Sequence, residues 1–211
     1  MTNAHLEQPV TDYGESIDRA ATAVILVHGR GQSPGWMHDQ VVRRFGRPDL
    51  AWRAPMADGA SWYPERFLAP VELNEPLLAN ALACLEALSE RLRLQGIPYA
   101  SQVLMGFSQG ACLCSEFVWR SRRRYRALVS FTGALIGPSD LQRTPDARDF
   151  SGMPVLFSTW EHDPHVPAED VRRSAALFDA AGAAVVLHVD PATEHGIRDA
   201  EIEYARRALD T

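Results

Sequence analysis

The sequence predicts an α/β fold with a mostly parallel central sheet and helices on both of its faces. Short, continuous apolar runs such as Ala23 to Val27 and Ala127 to Phe131 recur along the chain, bounded by glycine or proline, as expected of strands buried on both faces. Segments of helical spacing alternate with them, which implies right-handed crossovers and parallel neighbours. A third observation joins the two patterns. Val103 to Ala111 reads as an apolar strand that turns at once into a helix, with Ser108 at the corner and Gly106 and Gly110 two positions away on either side.

Along the chain, residues 1–14 are polar and read as a flexible N-terminal segment without the apolar stretch of a signal peptide. An edge strand is predicted around Tyr13 to Ile17. Ala21 to Val27 is the first buried strand, ending in the glycine loop His28 to Gly35. A short helix follows over Gln40 to Phe45, then a strand over Leu50 to Ala54 stopped by Pro55. Residues 55–77 lose their period: Pro55, Pro64, Pro70 and Pro76 alternate with Trp62, Tyr63, Phe67 and Leu68. This irregular loop is too long for an ordinary connection and too aromatic for a solvated one. It either caps the core or lines a substrate cleft. Leu78, Leu82, Leu85, Leu88 and Leu92 form a helical stripe stopped at Gly96.

After Ser108 a helix runs to about Val118, and Ala127 to Phe131 is the next strand. A loop containing Pro138, Asp140, Pro145 and Asp149 leads to a strand over Pro154 to Thr159. Glu169 to Ala181 is helical, with a stop at Gly182, and Ala184 to Val189 is the last strand. Glu194 to Leu209 closes the chain as a loop and a helix. With no internal repeat and no linker, residues 1–211 read as one domain.

Hydrophobic residues at 46% and charged residues at 23% are ordinary globular values, and no apolar run approaches the length needed to span a bilayer. A cytoplasmic protein is the default expectation, with no stable membrane insertion. A formal net charge of −6 argues against a nucleic-acid partner. The basic run Arg120 to Arg126 follows the helix after Ser108, where arginines complement the negative end of the helix dipole. Cys84, Cys112 and Cys114 lie in apolar helical segments and read as buried reduced thiols. All 21 basic residues are arginine, so Schiff-base chemistry, a Walker lysine and Ser–Lys dyads are excluded together.

A serine hydroxyl is a poor nucleophile until a histidine removes its proton, and a carboxylate must hold that histidine. In an open α/β sheet such groups collect at the C-terminal ends of strands. The loop after Val155-Leu156-Phe157 carries Glu161, His162, Asp163 and His165, and the loop after the last strand carries Glu194-His195-Gly196. An acid and then a histidine thus follow the serine in chain order. Of the seven histidines only His195 has a strand-end loop to itself. Asp163 is the favoured acid, with Glu161 as the alternative. A metal site in the 161–165 cluster is disfavoured because Pro164 and Pro167 deny it a helix face that would align His162 with His165. The backbone N–H groups of Gln109, at the start of a helix, and Arg30, in the glycine loop beside it, are the candidate oxyanion donors.

Together, Leu26-Val27-His28-Gly29-Arg30-Gly31, Gly106-Phe107-Ser108-Gln109-Gly110, Asp163-Pro164-His165-Val166-Pro167 and Glu194-His195-Gly196 resemble the phospholipase/carboxylesterase family of α/β-hydrolases, relatives of the acyl-protein thioesterases and small bacterial carboxylesterases. The resemblance covers about residue 21 to the end. It implies the α/β-hydrolase fold, Ser108, Asp163 and His195 as a catalytic triad, and Arg30 and Gln109 as the oxyanion hole. This chain departs from the family in carrying Arg30 where members often have an apolar residue, and Trp62-Tyr63-Pro64 where an acidic residue often follows an aromatic pair.

The expected activity is that of a serine carboxylesterase acting on short to medium acyl chains, with Trp62, Tyr63 and Phe67 binding substrate. Alternatives are a lysophospholipase or acyl-protein thioesterase and, from another class, a non-catalytic module binding a small ligand. No cofactor and no metal are expected. A small-molecule ester is the expected partner, and a homodimer is compatible with the sequence.

Overall fold

A computed structural model describes residues 3–209; Met1 and Thr2, the first residues of the expected flexible segment, and Asp210 and Thr211 lie outside the described residues. Seven strands form one sheet in the order β1-β3-β2-β4-β5-β6-β7. They are β1 Val10–Gly14, β2 Ala23–Val27, β3 Ala51–Pro55, β4 Gln102–Phe107, β5 Ala127–Phe131, β6 Pro154–Trp160 and β7 Ala184–Asp190. All neighbours run parallel except β1, which pairs antiparallel with β3 through Val10↔Pro55 to Gly14↔Ala51. Every residue of β2, β4 and β5 is buried, which explains why these strands read as unbroken apolar runs and not as alternating ones.

Helices cover both faces. The helices α3 Leu77–Leu94, α4 Gln109–Ser121 and α5 Ala168–Ala180 pack on one side, where Leu85, Leu113 and Phe178 meet Ile25, Leu104 and Phe157. On the other side lie α1 Pro34–Met37, α2 Arg43–Phe45 and α6 Asp199–Leu209, whose Met37, Phe45 and Ile202 belong to the same apolar cluster as Leu26, Trp52 and Met105. No helix among the described residues is long and apolar enough to cross a membrane.

Three elements differ from the sequence reading. The edge strand lies over Val10–Gly14, ahead of the Tyr13 to Ile17 expected, because the chain turns at Gly14 in a left-handed conformation (φ 71°). A side chain there would meet the Leu50 carbonyl oxygen at 2.2 Å. Residues 3–9, expected to be flexible, form a 3₁₀ turn over Ala4–Glu7 that buries His5. The helix expected from Gln40 begins at Pro34 and continues through a π turn, His38–Val42, into α2. Its start signal is Ser33, whose hydroxyl accepts the Trp36 N–H at 3.2 Å, followed by proline at the first helical position.

The basic run at the end of α4 is partly neutralised within the chain: Arg120 pairs with Glu116 and Arg123 with Glu86, while Arg122 pairs with Asp149. The 55–77 segment contains two short 3₁₀ turns, Asp58–Ala60 and Val71–Asn74, and buries Trp62, Tyr63 and Phe67 beneath it.

The chain leaves β2 for β3 on one side of the sheet, whereas β4 pairs with β2 on the other. The loops after β2 and β4 therefore diverge and open a crevice at the carboxyl ends of these two strands. Such a switch point is where open α/β sheets bind ligands. Arg30 and Ser108 stand on its two sides.

Candidate active site

The elbow between β4 and α4 is built by exclusion of side chains. A Cβ on Gly106 would lie 2.5 Å from the carbonyl of Gly110, and one on Gly110 would lie 2.3 and 2.4 Å from the carbonyl oxygens of Val27 and His28. Only glycines allow α4 to start directly over β4 and against the end of β2. Ser108, at the corner, has φ 52° and ψ −120°, a conformation that costs about 1–3 kcal/mol for a residue with a side chain. Its N–H is anchored on the Phe131 carbonyl at 2.9 Å, and its hydroxyl faces the crevice.

His195 and Asp163 complete a relay with this hydroxyl. His195 Nε2 lies 2.9 Å from Ser108 Oγ, and His195 Nδ1 lies 2.7 Å from Asp163 Oδ2. Asp163 is buried, and its Oδ1 accepts the N–H groups of His165 and Val166, each at 2.8 Å. A carboxylate with both oxygens occupied in this way accepts a hydrogen from Nδ1, which assigns that proton and leaves the Nε2 lone pair directed at the serine hydroxyl. Phe107 and His165 flank the imidazole, with ring centroids 5.0 and 4.8 Å from it. Glu161 lies elsewhere: its carboxylate pairs with Arg172 on α5 at 2.5 Å, so the alternative acid does not reach His195. Among the described residues no three His, Cys, Asp or Glu side chains converge as metal donors.

The N–H groups of Arg30 and Gln109 have no acceptor among the described residues. That of Gln109 opens α4, where the helix dipole adds to its pull on negative charge. The Gln109 side chain has a separate task that its place beside the serine did not reveal. Its Oε1 accepts the Trp62 N–H at 3.0 Å and its Nε2 donates to the Tyr63 carbonyl at 2.7 Å, tying the irregular loop to the elbow. Arg30 ties the same loop from the other side, its guanidinium donating to the carbonyls of Tyr63, Pro64 and Glu65 at 3.0, 2.5 and 2.7 Å.

Two buried histidines hold the loop from below. His28 Nε2 accepts the Ala57 N–H at 3.1 Å, and His5 Nδ1 accepts the Asp58 N–H at 3.0 Å. Their rings lie 5.1 and 5.4 Å from that of Trp62. Burial lowers the pKa of both histidines, which favours the neutral rings and their accepting lone pairs at pH 7.

The loop and the elbow enclose a cleft of about 630 Å³. Tyr63, Phe67, Phe107 and Val166 give it apolar wall, and Arg30 and Arg66 give it charge. Of the three aromatic residues expected to bind substrate, Tyr63 and Phe67 line the cleft and Trp62 does not. The Trp62 indole is fully buried and donates to the His28 carbonyl at 2.8 Å, so it supports the loop from the core side. Cys112 reaches the cleft floor, but burial pushes its thiol up to about 12, so it stays protonated at neutral pH. Cys84 and Cys114 are likewise buried and free.

The sequence model of the phospholipase/carboxylesterase family matches residues 14–211. Among solved structures, a phospholipase/carboxylesterase from Dyadobacter fermentans is 34% identical, with a TM-score of 0.86 over 97% of both chains. Esterase PE8 is 23% identical with a TM-score of 0.75, covering 96% of this chain and 97% of its own. SOBER1 of Arabidopsis thaliana is 19% identical with a TM-score of 0.71, covering 90% of this chain and 97% of its own. The last two show likeness of fold, which is the α/β-hydrolase fold. No curated protein sequence matches the chain.

Proposed function

Because the chain belongs to the phospholipase/carboxylesterase family, we propose that it hydrolyses carboxylic esters through an acyl-enzyme formed on Ser108. The observation that carries this reading is the unbroken relay from Asp163 through His195 to Ser108, with contacts of 2.7 and 2.9 Å. As the Ser108 hydroxyl attacks the ester carbonyl, His195 Nε2 takes its proton and Asp163 stabilises the imidazolium that forms. The carbonyl oxygen becomes an oxyanion, for which the Arg30 and Gln109 N–H groups are the donors. Collapse of this intermediate breaks the bond to the alcohol oxygen, which leaves with the proton held by His195. Water then enters, gives its proton to Nε2 and releases the acid, restoring the serine.

The cleft volume and its walls of Tyr63, Phe67, Phe107 and Val166 support short to medium acyl chains. A thioester would be attacked by the same route, and relative rates on matched oxygen esters, thioesters and lysophospholipids separate these substrates. We carry a cytoplasmic location and a small-molecule ester partner as part of this proposal.

Hydrolysis of a chain-length series of p-nitrophenyl esters by the wild type and Ser108→Ala tests the reading, with a fluorophosphonate label located by mass. Label on Ser108 and turnover lost in the variant, by about 10⁶-fold in kcat, is the expected outcome. Turnover that survives in Ser108→Ala overturns it.

A further inference from the structure

The cleft carries two cations that the proposed ester hydrolysis does not use. Arg30 and Arg66 both line it. Neither makes an ion pair among the described residues, whereas most arginines elsewhere do, Arg120, Arg123, Arg143 and Arg172 among them; Arg91, Arg124 and Arg126 are the others that lack one, and they lie outside the cleft. The Arg30 guanidinium spends its donors on three loop carbonyls, so it contributes fixed charge more than free hydrogen bonds. Arg66 differs. Its side chain is exposed and makes a single bond, from Nη2 to the His165 carbonyl at 3.2 Å, across the cleft from its own loop. Most of its five N–H donors remain open beside the wall formed by Pro164, His165 and Val166. The one carboxylate side chain in the cleft wall, Glu65, is exposed and pairs with neither arginine.

An unpaired, exposed guanidinium at the mouth of the cleft, in a chain whose formal net charge is −6, is poorly explained by solubility or by bracing alone. It suits a ligand that brings its own negative oxygens, since a guanidinium fork matches a carboxylate or a phosphate group. We propose that the preferred substrate is an ester bearing a second, non-reacting anionic oxygen group, carboxylate or phosphate, which docks on Arg66 in the field of Arg30 while the ester carbonyl meets Ser108. This rests on the serine-hydrolase reading above and narrows its substrate class.

The test compares matched charged and neutral esters on the purified full chain at low ionic strength. One pair sets p-nitrophenyl hemiglutarate against p-nitrophenyl valerate. The other sets the acetyl ester of glycerol 3-phosphate against monoacetylglycerol. The readout is the ratio of kcat/KM, anionic over neutral. We expect this ratio to exceed one for at least one pair, and the pair that shows it identifies the anionic group. Arg66→Gln should lower that ratio about tenfold, Arg66→Lys should retain most of it, and Glu65→Gln should raise it. Ratios at or below one for both pairs, or a ratio unmoved in Arg66→Gln, overturn the inference. Neutral esters turned over without such a preference defeat this inference alone. Absence of all turnover together with an unlabelled Ser108 defeats the serine-hydrolase reading and this one with it.

Discussion

The two walls of the cleft are built by different physics. On one side, Ser108, His195 and Asp163 follow the ends of β4, β7 and β6 and are joined to one another by two hydrogen bonds. Ser108 is locked by a helix that starts against a strand with no room for a side chain at Gly106 or Gly110. On the other side, residues 56–67 have no strand to hold them. Beside three backbone bonds, at Met56, Ala60 and Phe67, that wall is held by side chains reaching loop backbone: His28 to Ala57, His5 to Asp58, Gln109 to Trp62 and Tyr63, Arg30 to three carbonyls, and Asn74 Oδ1 to the Glu65 N–H at 2.8 Å. Under the proposed function, the chemistry belongs to the strand ends and the substrate fit to a strapped loop.

Breaking the proposed catalytic wall is expected to give the largest effects. In Asp163→Asn the amide retains the shape but offers a donor toward Nδ1, so the ring takes the tautomer whose Nε2 carries the proton and cannot accept one from Ser108. We expect kcat to fall about 10⁴-fold with little change in KM or melting temperature. Steady-state kinetics beside a thermal melt checks this, and a melt that collapses would show that Asp163 serves the fold first. Gly110→Ala is the complementary break. The new methyl meets two backbone oxygens that cannot step aside, so we expect about 3 kcal/mol or more of destabilisation, read as a lower urea midpoint at unchanged m-value.

The same division decides what could be read from the sequence. The convergence of Ser108, His195 and Asp163 was legible because each of its constraints is local: a strand-length apolar run, two glycines at fixed spacing, an acid and a histidine in successive strand-end loops. The strapped wall was not, because its straps, apart from that of Asn74, span 29 to 53 residues of sequence and use side chains that carry no local signature. His5 read as part of a polar, flexible segment, yet it is buried against Trp62. Trp62 read as a substrate contact because aromatic residues in a long loop commonly are; its indole N–H found a core carbonyl instead. The one available hint was Gln109. A polar side chain in a buried first helical turn must satisfy its amide somewhere, and the 55–77 loop was the segment in need of a partner.

Loosening that loop sharpens the contrast. Gln109→Ala keeps the backbone N–H at the start of α4 but removes the acceptor of a buried Trp62 amide and the donor to Tyr63. We expect about 1–3 kcal/mol of lost stability and a KM raised several-fold, with a smaller change in kcat. If kcat falls as far as in Asp163→Asn while KM holds, the loop belongs to the reacting geometry and the two walls are not separable.

The smallest effect is one of pH, and it belongs to the loop side alone. His5 and His28 both have folded pKa values below the ordinary histidine value, chiefly through burial. Backbone contacts to Trp62 and Gly29 oppose the shift, as does Asp58 beside His5. The unfolded chain therefore binds more protons than the folded one as pH falls below about 6.5, and stability drops in that direction. Their contribution is complete above the unfolded value and is lost as pH falls through the folded values. Protonation also gives each ring nitrogen a hydrogen where it now accepts one, which pushes Ala57 and Asp58 away. The melting temperature should fall by a few degrees between pH 7 and pH 5, and His28→Gln, whose amide oxygen accepts from Ala57 at any pH, should flatten that slope at some cost in packing. A slope equally steep in His28→Gln and in the double variant with His5→Gln would move the titration to other groups and leave the loop held by Gln109 and Arg30.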